Sequence, residues 1–105
     1  MANTFKNVLY EVTDTLATFY TCPAATTAVV IGCQAANKTV GTVAFDLVID
    51  DGVDSEFLLN NLSLPAGASV NCLAGKLVLE ASDVLRAECG TTADVGIVLS
   101  VLEIT

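Results

Sequence analysis

The sequence predicts an all-β protein that folds as a single β-sandwich. Residues 57–104 consist of short apolar runs separated by turn-forming clusters such as PAG, ASD and GTTAD. Turn signals recur about every 8–12 residues, which is the spacing typical of sandwiches built from short strands. The length of 105 residues corresponds to one domain, because single domains cluster at about 100–150 residues. We therefore expect an N-terminal arm or first strand at 1–13, followed by a β-sandwich domain at 14–105.

The N-terminal part of the chain supplies the first two predicted strands. In the arm, the apolar residues Val8, Tyr10 and Val12 alternate along the sequence, which indicates extended backbone. Residues 15–21 (TLATFYT) are rich in threonine and aromatic residues, which are common in strands. This second strand is expected to stop at the following Cys-Pro pair, because proline cannot donate a hydrogen bond to a sheet.

The next two predicted strands are residues 26–35 and 42–50. In the first of them, Val29, Ile31 and Cys33 are predicted to share one face. The second alternates most clearly, and the residues on its apolar face are Val43, Phe45, Leu47 and Ile49. An Asp-Asp-Gly sequence follows directly. It predicts a hairpin, because Asp-Gly readily adopts the positive φ angles that tight turns need.

The second half of the chain completes the predicted sandwich. The strands predicted there are residues 56–64, 69–73, 76–80, 84–88 and 95–104. A Pro-Ala-Gly turn at 65–67 separates the first two, and the last strand is apolar on both faces. About eight short, mostly antiparallel strands are therefore expected, in an immunoglobulin-like or a jelly-roll-like arrangement.

One segment, residues 74–89, fits two kinds of secondary structure. Leu77, Ala81, Val84 and Leu85 follow the spacing of an apolar helix face. However, residues 77–79 are three consecutive apolar residues, which a helix would spread around its circumference, and the Ala-Ser-Asp sequence after them suits a turn. The strand–turn–strand interpretation is therefore favoured over the helix.

The charge balance excludes nucleic acid as a partner. Twelve acidic and four basic residues give a net charge of −8. Nucleic-acid binding needs clustered basic side chains that neutralise phosphates. The basic residues here are scattered singly and are Lys6, Lys38, Lys76 and Arg86. The acidic charge instead keeps an apolar chain in solution.

The apolar content predicts an interface between subunits. The apolar fraction is 53% and the mean hydropathy is +0.67, yet no run approaches the roughly 18–20 apolar residues that span a bilayer. Burial on both faces of the sandwich accounts for part of this excess, and we expect an interface to bury the rest. The N-terminus lacks the features of a secretory signal, so the N-x-S/T sequons at Asn37 and Asn61 are interpreted as chance matches.

The side-chain chemistry predicts no enzyme, no cofactor and no metal site. Without histidine, Ser-His-Asp and Cys-His mechanisms lack their base. The acidic residues between Asp46 and Glu56 offer oxygen ligands for calcium, but they lack the D-x-D-x-D-G spacing and are interpreted as a solubilising hairpin. The cysteines lack close C-x-x-C pairs and are interpreted as reduced thiols in the core, with a disulfide as the alternative. They are Cys22, Cys33, Cys72 and Cys89.

Several segments resemble one group of proteins. In order, YTCPAATTAVVIGCQAANKT, LPAGASV, KLVLEASDVLRAE and VGIVLSVLEIT are similar to small virion proteins of tailed bacteriophages, especially those of cyanobacteria and marine bacteria. In that group, "tvPa.tt.vvig…aN.t" is followed by "ipaG…lvLeaGD.l.v", and the chain ends in "svlEi". The resemblance covers nearly the whole chain. It departs at Ser82, because the pattern has glycine before the residue that is Asp83 here.

The resemblance implies a capsid decoration (cement) protein that stabilises the shell at junctions between major capsid subunits. It implies a homo-oligomer, with a trimer favoured, whose partners are the major capsid protein or other virion proteins. The protein would be made in the host cytoplasm, without a nucleic-acid or membrane partner. The charge of −8 places it on the outer capsid surface, away from DNA. From the apolar last strand and the arm, the candidate interface residues are Phe5, Tyr10, Val98, Leu102 and Ile104.

Two other functions remain open from the sequence. One is a tail, neck or baseplate component of the virion, which would have a fixed, low copy number. The other is a soluble ligand- or carbohydrate-binding β-sandwich. Such sites usually present exposed aromatic residues, and an aromatic content of 6% without tryptophan argues against it.

Overall fold

The computed structural model describes residues 2–73, 75–90 and 95–105. These residues form nine strands, and all of the strand pairs between them are antiparallel. The strands are β1 (Asn3–Val12), β2 (Ala17–Thr21), β3 (Thr27–Asn37), β4 (Val43–Asp50), β5 (Ser55–Leu64), β6 (Ser69–Asn71), β7 (Leu77–Leu79), β8 (Val84–Cys89) and β9 (Val95–Ile104). Within the described ranges, no helix has the length and apolar character needed to cross a membrane.

The strands form two sheets in the order of a jelly roll. Sheet I has the order β1-β9-β3, with both β6 and β7 on the far side of β3, and sheet II has the order β2-β8-β4-β5. The strand pairs are nested in the sequence. The hairpin β4–β5 lies innermost, and β3 with β6 and β7, then β2 with β8, and finally β1 with β9 pair around it. An immunoglobulin fold keeps its first two strands in one sheet, whereas β1 and β2 lie in different sheets here. The predicted β-sandwich is confirmed, and its topology is the jelly roll.

The core lies between the two sheets because the strands alternate in burial. In β9, the residues from Val95 to Glu103 at odd positions are buried, and the residues at even positions face outward. The cysteines of the chain belong to this core as well. The largest fully buried side chains, drawn from both sheets, are Phe45, Leu47, Leu79, Leu85, Ile97 and Leu99.

Strand β3 departs from the predicted alternation at Ile31. Val30 lies opposite Val101 of β9 and Gly32 lies opposite Ser100, so Ile31 is an extra residue, a β-bulge. Beyond the bulge the alternation is reversed, and Cys33 is buried whereas Ile31 is 45% exposed. The prediction that Cys33 shares a face with Ile31 is therefore wrong.

The ambiguous segment is strand–turn–strand, and the helical alternative is wrong. Strands β7 and β8 are joined by a tight turn, in which the Asp83 backbone N–H donates to the Glu80 carbonyl oxygen at 3.0 Å. Ser82 has a φ of 74°, which is the conformation that the third position of a type II turn requires. Position 74 and most of the predicted turn at 90–94 lie outside the described residues.

Replacing Ser82 with glycine is expected to stabilise the protein by about 0.5–1 kcal/mol, because glycine adopts a positive φ without steric cost. The Ser82 side chain is exposed, so the substitution removes little packing. Urea denaturation of both proteins measures the effect. Ser63→Gly on β5 is the matched control, since Ser63 is also exposed but has no positive φ. There glycine is expected to destabilise by a similar amount. A lower stability for Ser82→Gly would contradict the strain assigned to this turn.

Asn37 is a buried polar residue that holds two loops together. Its side-chain Nδ2 lies 2.8 Å from the Gly41 carbonyl oxygen and 2.9 Å from that of Leu64. A third carbonyl oxygen, from Pro65, lies at 3.2 Å. The Oδ1 atom accepts hydrogen bonds from the Thr39 N–H at 2.9 Å and the Thr39 hydroxyl at 2.7 Å. Both polar atoms of the Asn37 side chain are therefore hydrogen-bonded inside the protein, at a position where only 3% of the residue is exposed.

A polar contact joins the two sheets near the end of the chain. The Tyr20 hydroxyl of sheet II donates to Glu103 Oε2 of sheet I at 2.6 Å. Lys6 Nζ of β1 lies 3.6 Å from the other carboxylate oxygen, Glu103 Oε1. Burial raises the pKa of Tyr20, and the hydrogen bond to Glu103 raises it further. The pKa of Tyr20 in the folded protein therefore lies above its unfolded value of about 10. The contact stabilises the fold below about pH 10, and this stabilisation is lost as the pH rises through the pKa of the folded protein.

Replacing Tyr20 with phenylalanine is expected to destabilise the protein by about 1–3 kcal/mol, because a buried carboxylate oxygen loses its hydrogen-bond donor. Chemical denaturation at neutral pH measures this difference. Tyr10→Phe is the matched control. Tyr10 is half-buried, and its ring stacks on the ring of Phe19 with 5.4 Å between the ring centroids, a contact that phenylalanine keeps. The control is expected to change stability by less than about 0.5 kcal/mol. Equal effects of the two substitutions would contradict the role of the Tyr20–Glu103 bond.

Candidate functional site

The outward face of sheet I carries a continuous apolar row across four strands. The register places Phe5 of β1 opposite Leu102 of β9, and Leu102 opposite Val29 of β3. Val29 in turn lies opposite Val78 of β7. Directly opposite residues point to the same face of an antiparallel sheet. Phe5 is 73% exposed and Val78 is 57% exposed, so this row is in contact with solvent.

A second apolar group lies on the same face, farther along the strands. Leu9 of β1 lies opposite Val98 of β9, and these residues are 73% and 47% exposed. The bulged Ile31 adds a further exposed apolar side chain on β3. We call the whole set the apolar face, and its residues are Phe5, Leu9, Val29, Ile31, Val78, Val98, Leu102 and Ile104.

The apolar face has shallow depressions into which side chains of a partner protein could fit. A depression of about 360 Å³ lies between the strands beside Gly32, where no side chain fills the space, and is bordered by Val98 and Asn71. A second depression, of about 280 Å³, lies beside Phe5 and Ile31. A third, of about 350 Å³, is lined by Leu9, Val98 and Lys38. These depressions are open and shallow, which suits side chains of another protein better than an enclosed small molecule.

The two outer faces of the sandwich differ in charge. Among the outward-facing strand residues described for sheet I, the one charged side chain is Glu11, whose carboxylate lies 2.9 Å from Lys38 Nζ. On the outer face of sheet II, two acidic residues lie directly opposite each other in β4 and β8, and an Arg–Asp pair at 3.7 Å follows them. These residues are Asp46, Glu88, Asp50 and Arg86. The sandwich therefore has one nearly uncharged apolar face and one charged face.

The acidic hairpin between β4 and β5 uses its carboxylates to hold its own turn. Asp50 Oδ1 accepts from the Gly52 N–H at 2.7 Å, and Asp50 Oδ2 accepts from the Ser55 hydroxyl at 2.8 Å. Asp51 Oδ1 accepts from the backbone N–H groups of residues 53 and 54. These backbone hydrogen bonds lower the pKa values of Asp50 and Asp51. In the described part of the chain, no group of three metal-ligating side chains is found.

The structure places four of the five sequence-predicted interface residues on one face. Phe5, Val98, Leu102 and Ile104 all point outward from sheet I. Tyr10 lies opposite Ile97 on the inward side, where it stacks on Phe19. We therefore leave Tyr10 out of the surface proposed below.

Sequence reasoning missed the remaining members of the apolar face. Leu9 could have been found, because the inward alternation of Val8, Tyr10 and Val12 leaves Phe5 and Leu9 on the other side of the strand. Val29 and Ile31 do share a face as predicted, but Cys33 was grouped with them because the bulge at Ile31 has no clear local signal. Val78 depends on the pairing of β7 with β3, which joins residues far apart in the sequence.

Comparison with known proteins supports the fold and identifies no family. No family model and no curated protein sequence matches this chain. The acid-stable capsid structure of Helicobacter pylori bacteriophage KHP30 contains a chain that is 14% identical, with a TM-score of 0.60, and the match covers 100% of this chain and 89% of that one. A structure of Bacillus endospore appendages, described as disulfide-linked pili, is 16% identical with a TM-score of 0.59, over 99% and 87% of the two chains.

A third similar structure is a pentameric capsid protein from metagenomic phage sequences. It is 19% identical over 90% of this chain and 60% of that chain, with a TM-score of 0.48. This score is too low to carry weight. At such identities, the first two likenesses show a shared fold, and a fold by itself does not determine function.

Proposed function

We propose that this protein is a non-enzymatic structural protein of a phage virion, and most specifically a capsid decoration protein. The observation that carries the proposal is the nearly uncharged apolar face of sheet I in a chain of net charge −8. Exposed apolar patches larger than a few hundred Å² on a soluble protein commonly mark sites of protein–protein contact. A shell of major capsid subunits is the occupant that we propose for this face.

Two further observations support this proposal. The jelly roll is an architecture that viral capsid proteins use, and one of the similar structures is a phage capsid. The sequence resemblance to small phage virion proteins rests on turn and core positions, and one of them is the loop at which Asn37 accepts from the Thr39 N–H. At Ser82, where this chain departs from the pattern, the backbone has the positive φ that the glycine of the pattern favours. None of these observations involves catalytic chemistry, in keeping with a chain that has no histidine.

The proposed mechanism is stabilisation of the assembled state by mass action. A protein that binds the assembled shell but not its separated subunits stabilises the shell, by about 4 kcal/mol per site when its concentration is 1,000 times its dissociation constant. Stable interfaces bury roughly 1,600 Å² in total, which is within reach of a face that spans four strands. We place binding sites at junctions between capsid subunits, where one copy contacts more than one subunit.

The charge distribution supports an orientation on the shell. Burying the apolar face removes few charges from water, whereas burying Asp46, Glu88 and Asp50 would remove three carboxylates from water with one arginine, Arg86, beside them. The acidic face of sheet II would then point outward, away from packaged DNA. Acidic groups exposed at high copy number would also keep particles from aggregating.

We also propose that the protein is a homo-oligomer, with a trimer favoured. Association of copies would bury part of the exposed apolar area other than Phe5 and Leu9. Light scattering at high protein concentration measures the mass directly. A trimeric mass is expected, and a monomeric mass would contradict this part of the proposal.

The test of the virion role is the copy number of the chain in purified particles of the phage that encodes it. Quantitative mass spectrometry against the major capsid protein is the measurement. A decoration protein is expected at a copy number comparable to that of the major capsid protein. A few copies per particle would instead identify a tail, neck or baseplate component. Absence from particles would contradict the virion role and favour a soluble binding protein.

A further inference from the structure

Cys33 and Cys72 lie opposite each other inside the core. The register of β3 with β6 places Gln34 opposite Asn71. The neighbouring residues, Cys33 before Gln34 and Cys72 after Asn71, therefore form the next pair. The Cys72 backbone N–H donates to the Cys33 carbonyl oxygen at 2.8 Å, which continues the ladder one residue beyond β6. Only 2% of Cys33 and 6% of Cys72 are exposed. Two thiols therefore share one buried position at the edge of sheet I.

The pairing of these residues suits a disulfide bond. Hydrogen-bonded pairs in antiparallel sheets have Cα atoms about 5.5 Å apart, and disulfides join Cα atoms about 4.4–6.8 Å apart. The interaction between the two neighbouring thiols lowers the pKa of Cys72 and raises the pKa of Cys33. Cys22 differs, since its thiol hydrogen-bonds to backbone carbonyl oxygens.

We propose that Cys33 and Cys72 form an intramolecular disulfide when the protein meets a small disulfide oxidant such as oxidised glutathione. The Cys72 thiolate attacks one sulfur of the oxidant, and the S–S bond of the oxidant breaks. The released glutathione thiolate takes up a proton. Cys33 then loses its proton and attacks the Cys72 sulfur, which releases the second glutathione. Two protein thiols are oxidised, and one glutathione disulfide is reduced to two thiols.

The edge of sheet I gives the oxidant a route to these buried thiols. Strands β6 and β7 have three residues each, so few backbone hydrogen bonds hold this edge. Segments with few such bonds open locally at a lower free energy than the whole domain. The thiols are therefore expected to react slowly in the native protein, and to stay reduced wherever thiols are in excess.

The disulfide is expected to stabilise the fold. It closes a loop that contains β4, β5 and β6, and closing such a loop restricts the unfolded chain. Loops of this length give typical disulfide stabilisation, which raises the Tm of a domain this small by about 10 °C or more. The protein would therefore have two stability levels, set by the redox potential of its surroundings.

The experiment oxidises the native full-length protein with oxidised glutathione and then alkylates the remaining thiols in denaturant. Intact mass is expected to show two alkylated cysteines instead of four and the loss of about 2 Da that accompanies disulfide formation. Proteolysis without reductant is expected to yield one linked peptide pair that contains Cys33 and Cys72. Four alkylated cysteines, stable glutathione adducts or a different linkage would each overturn the proposal.

Matched variants connect the linkage to stability. Cys72→Ala is expected to form no disulfide and to show no rise in Tm on oxidation. Cys22→Ala removes a buried thiol from another part of the core and is expected to keep both the linkage and the rise. A rise of similar size in Cys72→Ala would contradict the assignment. The peptide map of the unchanged protein stands even if a variant fails to fold, and the proposal does not depend on the virion role.

Discussion

Replacing Asn37 with aspartate is expected to destabilise the protein by about 3–5 kcal/mol, which approaches the whole stability of a small domain. The reason is that the Asn37 Nδ2 atom donates to a group of backbone carbonyl oxygens. The carbonyl oxygens of Gly41, Leu64 and Pro65 lie within 3.2 Å of its Nδ2 atom. An aspartate would place a charged oxygen against these three oxygens, and the position is too buried for water to screen it.

The effect is expected to spread beyond the residue itself. Asn37 lies at the end of β3, and its bonds fix the turn from β3 to β4 and the connection from β5 to β6. The backbone N–H of Asn37 also donates to the Ala68 carbonyl oxygen at 2.8 Å. Loss of the amide would therefore loosen two loops at once. The Thr39 hydroxyl also donates to the Gly41 carbonyl oxygen at 3.0 Å, but this bond joins residues of the same turn.

Urea denaturation followed by circular dichroism measures the loss, with Asn7→Asp as the matched control. Asn7 is exposed on β1, so the control adds the same charge without removing a buried donor. The control is expected to stay within about 0.5 kcal/mol of the unchanged protein. A similar denaturation midpoint for the two variants would contradict the role assigned to Asn37.

The second large effect is expected from charges placed on the apolar face. The double substitution Phe5→Glu and Leu9→Glu is expected to weaken binding to shells by at least about 100-fold, because an unpaired charge buried in an interface costs several kcal/mol. Both side chains are 73% exposed in the single chain. The stability of the unbound protein should therefore change little.

The measurement is co-sedimentation of purified protein with particles that lack this chain. Thr18→Glu with Ser63→Glu is the matched control, because both residues are exposed on sheet II and the change in net charge is the same. We expect the control to bind as tightly as the unchanged protein. Equal loss of binding in both double variants would point to general charge repulsion and would contradict a specific role for the apolar face.

Local sequence patterns predicted the strands well because each strand carries its own alternation. The hairpin of β4 and β5 follows from the Asp-Asp-Gly sequence, and Gly52 does adopt a φ of 92°. The turn at Ser82 has a positive φ, as the glycine in the phage pattern indicates. These features depend on residues close together in the chain, so they can be predicted before the fold is known.

The topology could not be predicted in this way. The choice between a jelly roll and an immunoglobulin fold depends on pairs such as β1–β9, which joins Asn3 to Ile104, and no local pattern records such a pair. The role of Asn37 depends in part on such distant contacts. Thr39 and Gly41 lie close to it in the sequence, but the Leu64 and Pro65 carbonyl oxygens, which also accept from its Nδ2, lie at the end of β5 and just beyond it.

The candidate site was predicted in part. The apolar character of the last strand indicated Val98, Leu102 and Ile104, and the arm indicated Phe5. Their arrangement as one face became visible only with the register of sheet I. The contrast with the acidic face of sheet II likewise depends on the pairing of β4 with β8. The sequence therefore predicted several members of the site but not its shape or its charge contrast.

The most direct test of the proposed function is an electron cryomicroscopy map of particles from the phage that encodes this chain. We expect the protein on the outside of the shell, at junctions between major capsid subunits, with Phe5 and Leu9 buried against the shell. The acidic face of sheet II is expected to point to solvent. A map that places sheet II against the shell, or that shows no density for the protein on the capsid, would contradict the proposal.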